Sequence, residues 1–84
     1  MSESKVGEVI KFFAKPMVAA IRITAGTLAK GDTLHFAGFT TDFEATVGSM
    51  QEDHASIETA GLGQTVGIQV PERCRPGDEV FKEA

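Results

Sequence analysis

One stretch, residues 26–34 (GTLAKGDTL), restricts the fold of this chain more than any other segment. It holds two glycines five positions apart, with the apolar Leu28 between them. Glycine adopts positive φ without a Cβ clash, and aspartate hydrogen-bonds to nearby backbone, so Lys30-Gly31-Asp32 predicts a tight turn. Leu28 is then expected to point inward from a connection between two strands. A similar sequence, RPGDEV, recurs at residues 75–80, which predicts a second corner of the same kind.

Apolar and polar residues alternate with a period of two along most of the chain. In residues 17–24, for example, Ala19, Ile21 and Ile23 fall on one face, which is typical of a half-buried strand. No segment shows sustained helical spacing, so the sequence predicts an all-β fold. The predicted strands cover residues 5–13, 17–24, 33–37, 39–51 (with a bend at Gly48), 55–59, 64–70 and 79–82. Closure into a six- or seven-stranded antiparallel β-barrel is the most economical arrangement, because it removes exposed edges.

The length of 84 residues predicts a single small domain over residues 6–84, preceded by a flexible tail at residues 1–5. That tail has no apolar run, and no later stretch is long enough to span a bilayer, so no membrane contact is expected. A lone cysteine, Cys74, cannot form an internal disulfide, which is typical of a reducing compartment. We therefore expect a cytoplasmic location.

The net charge of −4 is unevenly distributed. Residues 1–31 carry five basic and two acidic residues, a net +3, whereas residues 32–84 carry three basic and ten acidic residues, a net −7. Lys11, Lys15 and Arg22 belong to the first two predicted strands and their connection, and are candidates for contact with RNA or a partner protein. An ordinary solvated face also accounts for them. The overall negative charge opposes tight, sequence-independent binding of nucleic acid.

Enzyme and cofactor motifs are absent from the sequence. It contains no Gly-x-x-x-x-Gly-Lys-Ser/Thr phosphate loop, and Gly61-Leu62-Gly63 precedes a predicted strand where a pyrophosphate site needs a helix. His35 and His54 have no cysteine or second histidine at metal-ligand spacing. We expect no cofactor, no metal and no catalytic residue.

Cys74 and the acidic residues near His54 are the remaining candidates for chemistry. Arg73 and Arg75 could lower the pKa of Cys74, although a small side chain in a connecting segment is the simpler interpretation. Asp53 beside His54 offers a carboxylate–histidine pair, but acid–base catalysis needs a pocket that excludes water, and a small filled barrel has little room for one. The sequence favours a non-catalytic domain.

Several segments together resemble the second, β-barrel domain of translational GTPases such as elongation factor Tu. That family has a Gly-x-Leu/Ile-x-x-Gly-Asp turn, an Ala-Gly-x-x-Val-Gly stretch and a basic residue before a later Gly-Asp. The matching segments here are GEVI at residues 7–10, VAAIRI at 18–23, the 26–34 turn, AGLGQTVGI at 60–68 and RPGDEV at 75–80. The resemblance covers residues 6–82, nearly the whole chain.

The resemblance implies a closed barrel of the translation-protein type that contacts tRNA, the ribosome or a translation-related protein. The family's GTPase domain is not part of this sequence, so GTP binding is not implied. The expected function is a stand-alone, non-catalytic binding module related to translation, with RNA (tRNA or rRNA) or a translation-related protein as partner. The alternative is a protein-only adaptor or assembly domain that uses exposed apolar residues such as Phe13, Phe39 or Leu62. The residues expected to shape its structural turns are Gly26, Leu28, Gly31, Asp32, Gly61, Gly63, Gly77 and Asp78.

Overall fold

A computed structural model describes residues 3–53 and 55–83 of the protein, and these residues form ten β-strands. The all-β prediction is confirmed. Within the described ranges, no helix is long and apolar enough to cross a membrane. The strands are β1 (Glu3–Phe13), β2 (Val18–Ile23), β3 (Leu28–Ala29), β4 (Thr33–Ala37), β5 (Asp42–Thr46), β6 (Met50–Glu52), β7 (Ala55–Ile57), β8 (Thr59–Ala60), β9 (Thr65–Gln69) and β10 (Glu79–Glu83).

Eight of these strands form one antiparallel sheet in the order β5-β4-β10-β1-β2-β9-β6-β7, and β3 pairs with β8 in a separate two-stranded sheet. Within the described residues the order has two ends, β5 and β7. Closure into a six- or seven-stranded barrel is therefore not confirmed. The short strands β3 and β8 lie within stretches that the sequence assigned to connections or to the end of one strand.

Two strand boundaries differ from the predictions. The first strand begins at Glu3, because residues 3–5 pair with β10, although the sequence predicted a tail there. Met1 and Ser2 lie outside the described residues. The single strand predicted over residues 39–51 is wrong: β5 ends at Thr46 and pairs with β4, whereas β6 begins at Met50 and pairs with β7 and β9. The exposed Gly48 lies in the connection between them.

The apolar side chains of the alternating strands form one core. Ala19, Ile21 and Ile23 of β2 are at most 1% exposed, and Phe36 and Phe43 stack with ring centroids 4.8 Å apart. Leu28 of the short β3 is completely buried in the same cluster. Burial of each such side chain stabilises the fold by about 1.5–3 kcal/mol, so the alternation fixes which face of each strand is internal.

Three turns share one construction, at residues 29–32, 61–64 and 75–78. In each, the third residue is a glycine with φ of +94°, +87° and +95° respectively, and the N–H of the fourth residue donates to the carbonyl of the first over 3.1 Å. These are features of a type II turn. A side-chain oxygen of the fourth residue also accepts from the N–H of the first, over 2.9, 2.6 and 2.8 Å. Those fourth residues are Asp32, Gln64 and Asp78.

Each turn is also tied to one buried residue of a distant segment. The glycine N–H donates to the carbonyl of that residue, whose own N–H donates back to the carbonyl of the fourth turn residue, over 2.7 to 2.9 Å. The buried residues are Val47 for turn 29–32, Ile23 for turn 61–64 and Val9 for turn 75–78. The reciprocal pairs satisfy the backbone groups of these buried residues, so the turns anchor distant segments as well as reversing the chain.

We predict that Gly31→Ala lowers the free energy of unfolding by about 1–2 kcal/mol, because alanine is strained at positive φ. Chemical denaturation measures the change. Gly48→Ala is the matched control: an added Cβ contacts nothing within 4 Å at either glycine, but only Gly31 has positive φ. Equal stability of the two variants would contradict the role assigned to the turn.

Candidate functional site

A β-bulge in β1 decides which side chains reach the outer face of the sheet. Val9 pairs with Ile21 of β2 and Lys11 pairs with Ala20, so Ile10 is the extra residue and is 44% exposed. The bulge reverses the alternation that follows. Lys11 and Phe13 therefore point outward, whereas Phe12 packs against the core.

A shallow trough crosses the outer face beside this bulge. The small residues Ala20 of β2 and Gly67 of β9 lie in its middle, and Phe13 stands on one side and Asp53 on the other. The region of the trough between Phe13 and Asp53 has a volume of about 510 Å³. A smaller adjoining depression of about 290 Å³ shares Gly67 with it and continues along the sheet. The residues that define the trough are Phe13, Pro16, Val18, Ala20, Ser49, Gln51, Asp53, Thr65, Val66, Gly67 and Gln69.

Residues with positive φ occur near both sides of the trough. Met17, between Pro16 and Val18, has a φ of +54°, and Asp53 has a φ of +51°. They are the only non-glycine residues with positive φ in the part of the chain described. A methionine rarely adopts this conformation, and hydrogen bonds of its backbone to Ala14 and Val70 hold it there. Such backbone strain is concentrated at binding and catalytic sites.

The three predicted contact residues, Lys11, Lys15 and Arg22, are all exposed. None is among the residues that line the trough, but each is a cross-strand or sequence neighbour of one that does. The Lys11 ammonium lies 5.1 Å from the centre of the Phe13 ring, and Lys15 precedes Pro16 in the β1–β2 turn. Arg22 is paired in register with Thr65 of the trough. None of the three takes part in the ion pairs formed among residues 3–53 and 55–83. Contact of these residues with RNA or protein stays a prediction.

The other exposed apolar residues lie away from the trough. Phe39 is fully exposed in the β4–β5 turn, and Leu62 is 71% exposed in the 61–64 turn. Of the three apolar residues proposed for a protein-only adaptor, Phe13 lines the trough, whereas Phe39 lines a separate depression of about 510 Å³ beside Lys5 and Glu79. The sequence did not predict this distinction, because the bulge that turns Phe13 outward depends on strand pairing.

A second polar cluster surrounds His35 on the outer face of β4. Its Nδ1 lies 3.0 Å from a carboxylate oxygen of Glu3, and its Nε2 lies 2.7 Å from Asp42. A neutral imidazole can donate from only one nitrogen, so the doubly protonated ring fits this arrangement better. The hydrogen bonds to Asp42 and then to Glu3 raise the pKa of His35 above its usual 6.5. His35 thus links β1, β4 and β5.

Carboxylates crowd the same face next to His35. Oxygen atoms of Glu3, Glu44 and Glu83 lie within 4.8 Å of one another. The neighbouring Glu44 carboxyl raises the pKa of Glu83, because two carboxyl groups this close interact favourably only when one of them is protonated. Exposed acidic clusters are common without a metal, so this group alone does not indicate a metal site.

Cys74 is buried at 2% exposure in the connection before β10. Burial, followed by the nearby Asp78 carboxylate, raises the pKa of its thiol to about 11. The possibility that the flanking arginines lower this pKa is therefore wrong. The thiolate is the reactive form of cysteine, so a buried thiol with a raised pKa is expected to be unreactive. Cys74 therefore serves as a core side chain. His54, the other histidine considered for chemistry, lies outside the described residues.

This chain is similar in sequence to proteins that are named as a protease and a collagenase. No protein-family model matches it. It is 37% identical over 78 residues to an uncharacterized protease of Methanocaldococcus jannaschii, and 33% identical over 78 residues to a collagenase of Porphyromonas gingivalis. Both matches cover 92% of this chain but only 19% and 22% of the relatives. The chain spans about a fifth of the length of the curated relatives it matches.

A solved structure matches almost the whole fold. It is the C-terminal domain of a Geobacillus thermoleovorans protein classed as a U32 peptidase, with a TM-score of 0.88 over 95% of this chain and 92% of that domain. This chain has the fold of that domain. The sequence identity is 18%, so this similarity shows a shared fold and nothing about function. A selenomethionine variant of the same domain matches with a TM-score of 0.86, covering 92% of this chain and 96% of the domain.

These relatives contradict the resemblance to elongation factor Tu and the translation function derived from it. The sequence relatives are named as proteases and collagenases, and the structural match is a peptidase C-terminal domain. The Gly-Asp pattern misled because the turn itself requires it: glycine supplies the positive φ, and the aspartate closes the turn with a side-chain hydrogen bond. Any β-domain with such corners will favour these residues. The cytoplasmic location stays a prediction.

We predict that His35 stabilises the domain more at about pH 6 than at about pH 9. Its folded-state pKa is raised, so its contribution is fully present below the unfolded value of 6.5 and is lost as pH rises through the folded value. The unfolding free energies of the wild type and His35→Gln should differ more at the lower pH. A difference that is the same at both pH values would contradict the ionised bridge.

We predict that the Cys74 thiol reacts slowly with iodoacetamide at about pH 8 while the domain is folded. Denaturation should restore the rate of an ordinary cysteine, because burial and the raised pKa of about 11 both depend on the fold. Mass spectrometry over time follows the modification. A folded-state rate equal to that of a short cysteine peptide would show that the thiol is exposed and ionised.

Proposed function

We propose that this chain is a non-catalytic accessory domain of a peptidase-type protein and binds polypeptide in the trough. The relatives named as a protease and a collagenase match this chain over only about a fifth of their length. The remaining four fifths of each relative has no counterpart in this chain. A segment of that size that accompanies a peptidase can position substrate or another part of the enzyme. The trough is the observation that carries the proposal.

The polar residues of the described chain support a non-catalytic role. Peptide hydrolysis needs an activated nucleophile beside a base, or a metal-bound water, in a site that excludes bulk water. The Cys74 thiol is buried and its pKa is about 11. His35 is held between Glu3 and Asp42, with both ring nitrogens occupied by carboxylates. Neither arrangement provides a nucleophile with a free base.

The shape and composition of the trough support polypeptide as the ligand. Its small central residues, Ala20 and Gly67, let another chain approach the sheet closely. Phe13 is 42% exposed, and Pro16 and Val18 lie beside it, so apolar side chains have a surface to cover. Gln51 and Gln69 supply amide donors and acceptors along the same surface. An exposed aromatic residue next to polar groups is typical of protein-binding surfaces.

Binding of the purified chain to immobilised gelatin tests the proposal, because gelatin is an unfolded polypeptide and one relative is named as a collagenase. We expect Phe13→Ala to weaken binding about tenfold, as for a central aromatic contact. Phe39→Ala is the matched control: it removes the same side chain from a fully exposed position away from the trough, and should leave the affinity unchanged.

Three results would overturn the proposal. Failure of the wild type to bind gelatin, or equal losses in the two phenylalanine variants, would remove the trough as a polypeptide site. Hydrolysis of fluorescein-labelled gelatin by the purified chain would contradict the non-catalytic role, provided that the activity copurifies with the chain and changes in its variants.

A further inference from the structure

Three cations next to the trough form no ion pair with a described residue. Lys11, Lys15 and Arg22 are exposed along its β1–β2 side, and none has a carboxylate oxygen within 4.0 Å among the ion pairs of residues 3–53 and 55–83. By contrast, Lys5 is paired with Glu79, and Lys82 lies 3.5 Å from Asp32. Lys30, Arg73 and Arg75 also form no ion pair with a described residue, but they lie outside the trough. Lys11, Lys15 and Arg22 differ from them in lying next to an apolar surface.

We propose that the trough selects an extended polypeptide segment in which apolar side chains lie next to carboxylates. This inference rests on the proposed function and adds the chemistry of the ligand. An apolar side chain of the segment packs on Phe13 and Val18 above Gly67, and neighbouring carboxylates reach Lys11, Lys15 or Arg22. The trough follows the sheet surface over both of its depressions. This shape suits an extended chain whose successive side chains alternate in direction.

The acidic groups near the trough set the orientation of the ligand. Asp53 stands on the side away from the cations, and Glu8 is paired in register with Arg22 on the neighbouring strand. The carboxylates of the ligand are therefore expected along the Lys11 side, away from Asp53. The acidic cluster around His35 is formed by strands β4, β5 and β10 together with Glu3, which lies at the opposite end of β1 from Phe13. Its repulsion confines an acidic ligand to the trough.

A nucleic acid fits this surface less well than an acidic peptide. The chain carries a net charge of −4, and three cations of the described residues lie next to the trough, whereas nucleic-acid affinity rests on neutralising many phosphates. A segment with one or two carboxylates and an apolar residue matches both the small number of cations and the exposed Phe13. RNA is nevertheless included as a competitor in the test.

Fluorescence anisotropy with a matched set of short labelled peptides tests the inference. The peptides share alternate leucines, and the intervening residues are glutamate, glutamine or lysine. We expect the glutamate peptide to bind about tenfold more tightly than the glutamine peptide at low salt, and the lysine peptide to bind most weakly. The preference for glutamate should shrink as the salt concentration rises.

Two triple variants isolate the position of the charges. Lys11→Gln, Lys15→Gln and Arg22→Gln together should remove the preference, so that the glutamate and glutamine peptides bind with similar affinity. The control combines Lys30→Gln, Arg73→Gln and Arg75→Gln, which change the net charge equally at exposed sites outside the trough. This control should keep the preference. Equal losses in both triple variants would attribute the effect to net charge and overturn the inference.

The outcomes separate this inference from the proposed function. Equal affinity for the glutamate and glutamine peptides would overturn the charge selectivity and leave polypeptide binding intact. Failure of the wild type to bind any peptide would overturn the proposed function itself. Displacement of the glutamate peptide by a short RNA of lower dissociation constant would assign the cations to nucleic acid. Concentration-dependent dimerisation in sedimentation, abolished by Phe13→Ala, would assign the trough to a second copy of the chain.

Discussion

The fold depends on reciprocal hydrogen bonds between three glycine turns and three buried residues of distant segments. Each turn exchanges two backbone bonds with a residue far away in sequence: Val9, Ile23 or Val47. These pairs satisfy backbone groups that burial would otherwise leave without water. The bond pair at Val9 also fixes the position of β1 immediately before its bulge, so the register on which the trough depends is set by a turn near the other end of the chain.

Much of the fold could be predicted from local patterns, because burial on one face imposes a period of two. Ala19, Ile21 and Ile23 are all inside, as the alternation indicated. The break between β5 and β6 could not be predicted, since Gly48 is compatible with either a bend or an end, and the choice depends on which strands pair. Turn 61–64 was also harder to interpret, because Gln64 takes the place of an aspartate.

The candidate site was harder to predict from the sequence than the core. Lys11, Lys15 and Arg22 could be named from charge, but their position beside an apolar trough follows from the bulge and from the strand order β1-β2-β9-β6. The sheet order also puts β4, β5 and β10 of the acidic cluster on the opposite side of β1 from the trough, and the cluster takes Glu3 from the far end of β1 itself. A small acidic domain thus presents two chemically different surfaces. The family resemblance failed for a related reason, since turn residues report local backbone geometry that unrelated proteins share.

Because of the bulge at Ile10, the side chains exposed on the outer face depend on the number of residues in β1 as well as on their types. Every side chain from Lys11 to Phe13 has the orientation opposite to that of an unbroken strand. Removal of one residue at this point would exchange Phe12 and Phe13 between core and solvent without changing either of them. A single-codon insertion or deletion here could therefore create or erase a recognition surface in one step, and comparison of related chains by residue identity alone would not detect the change.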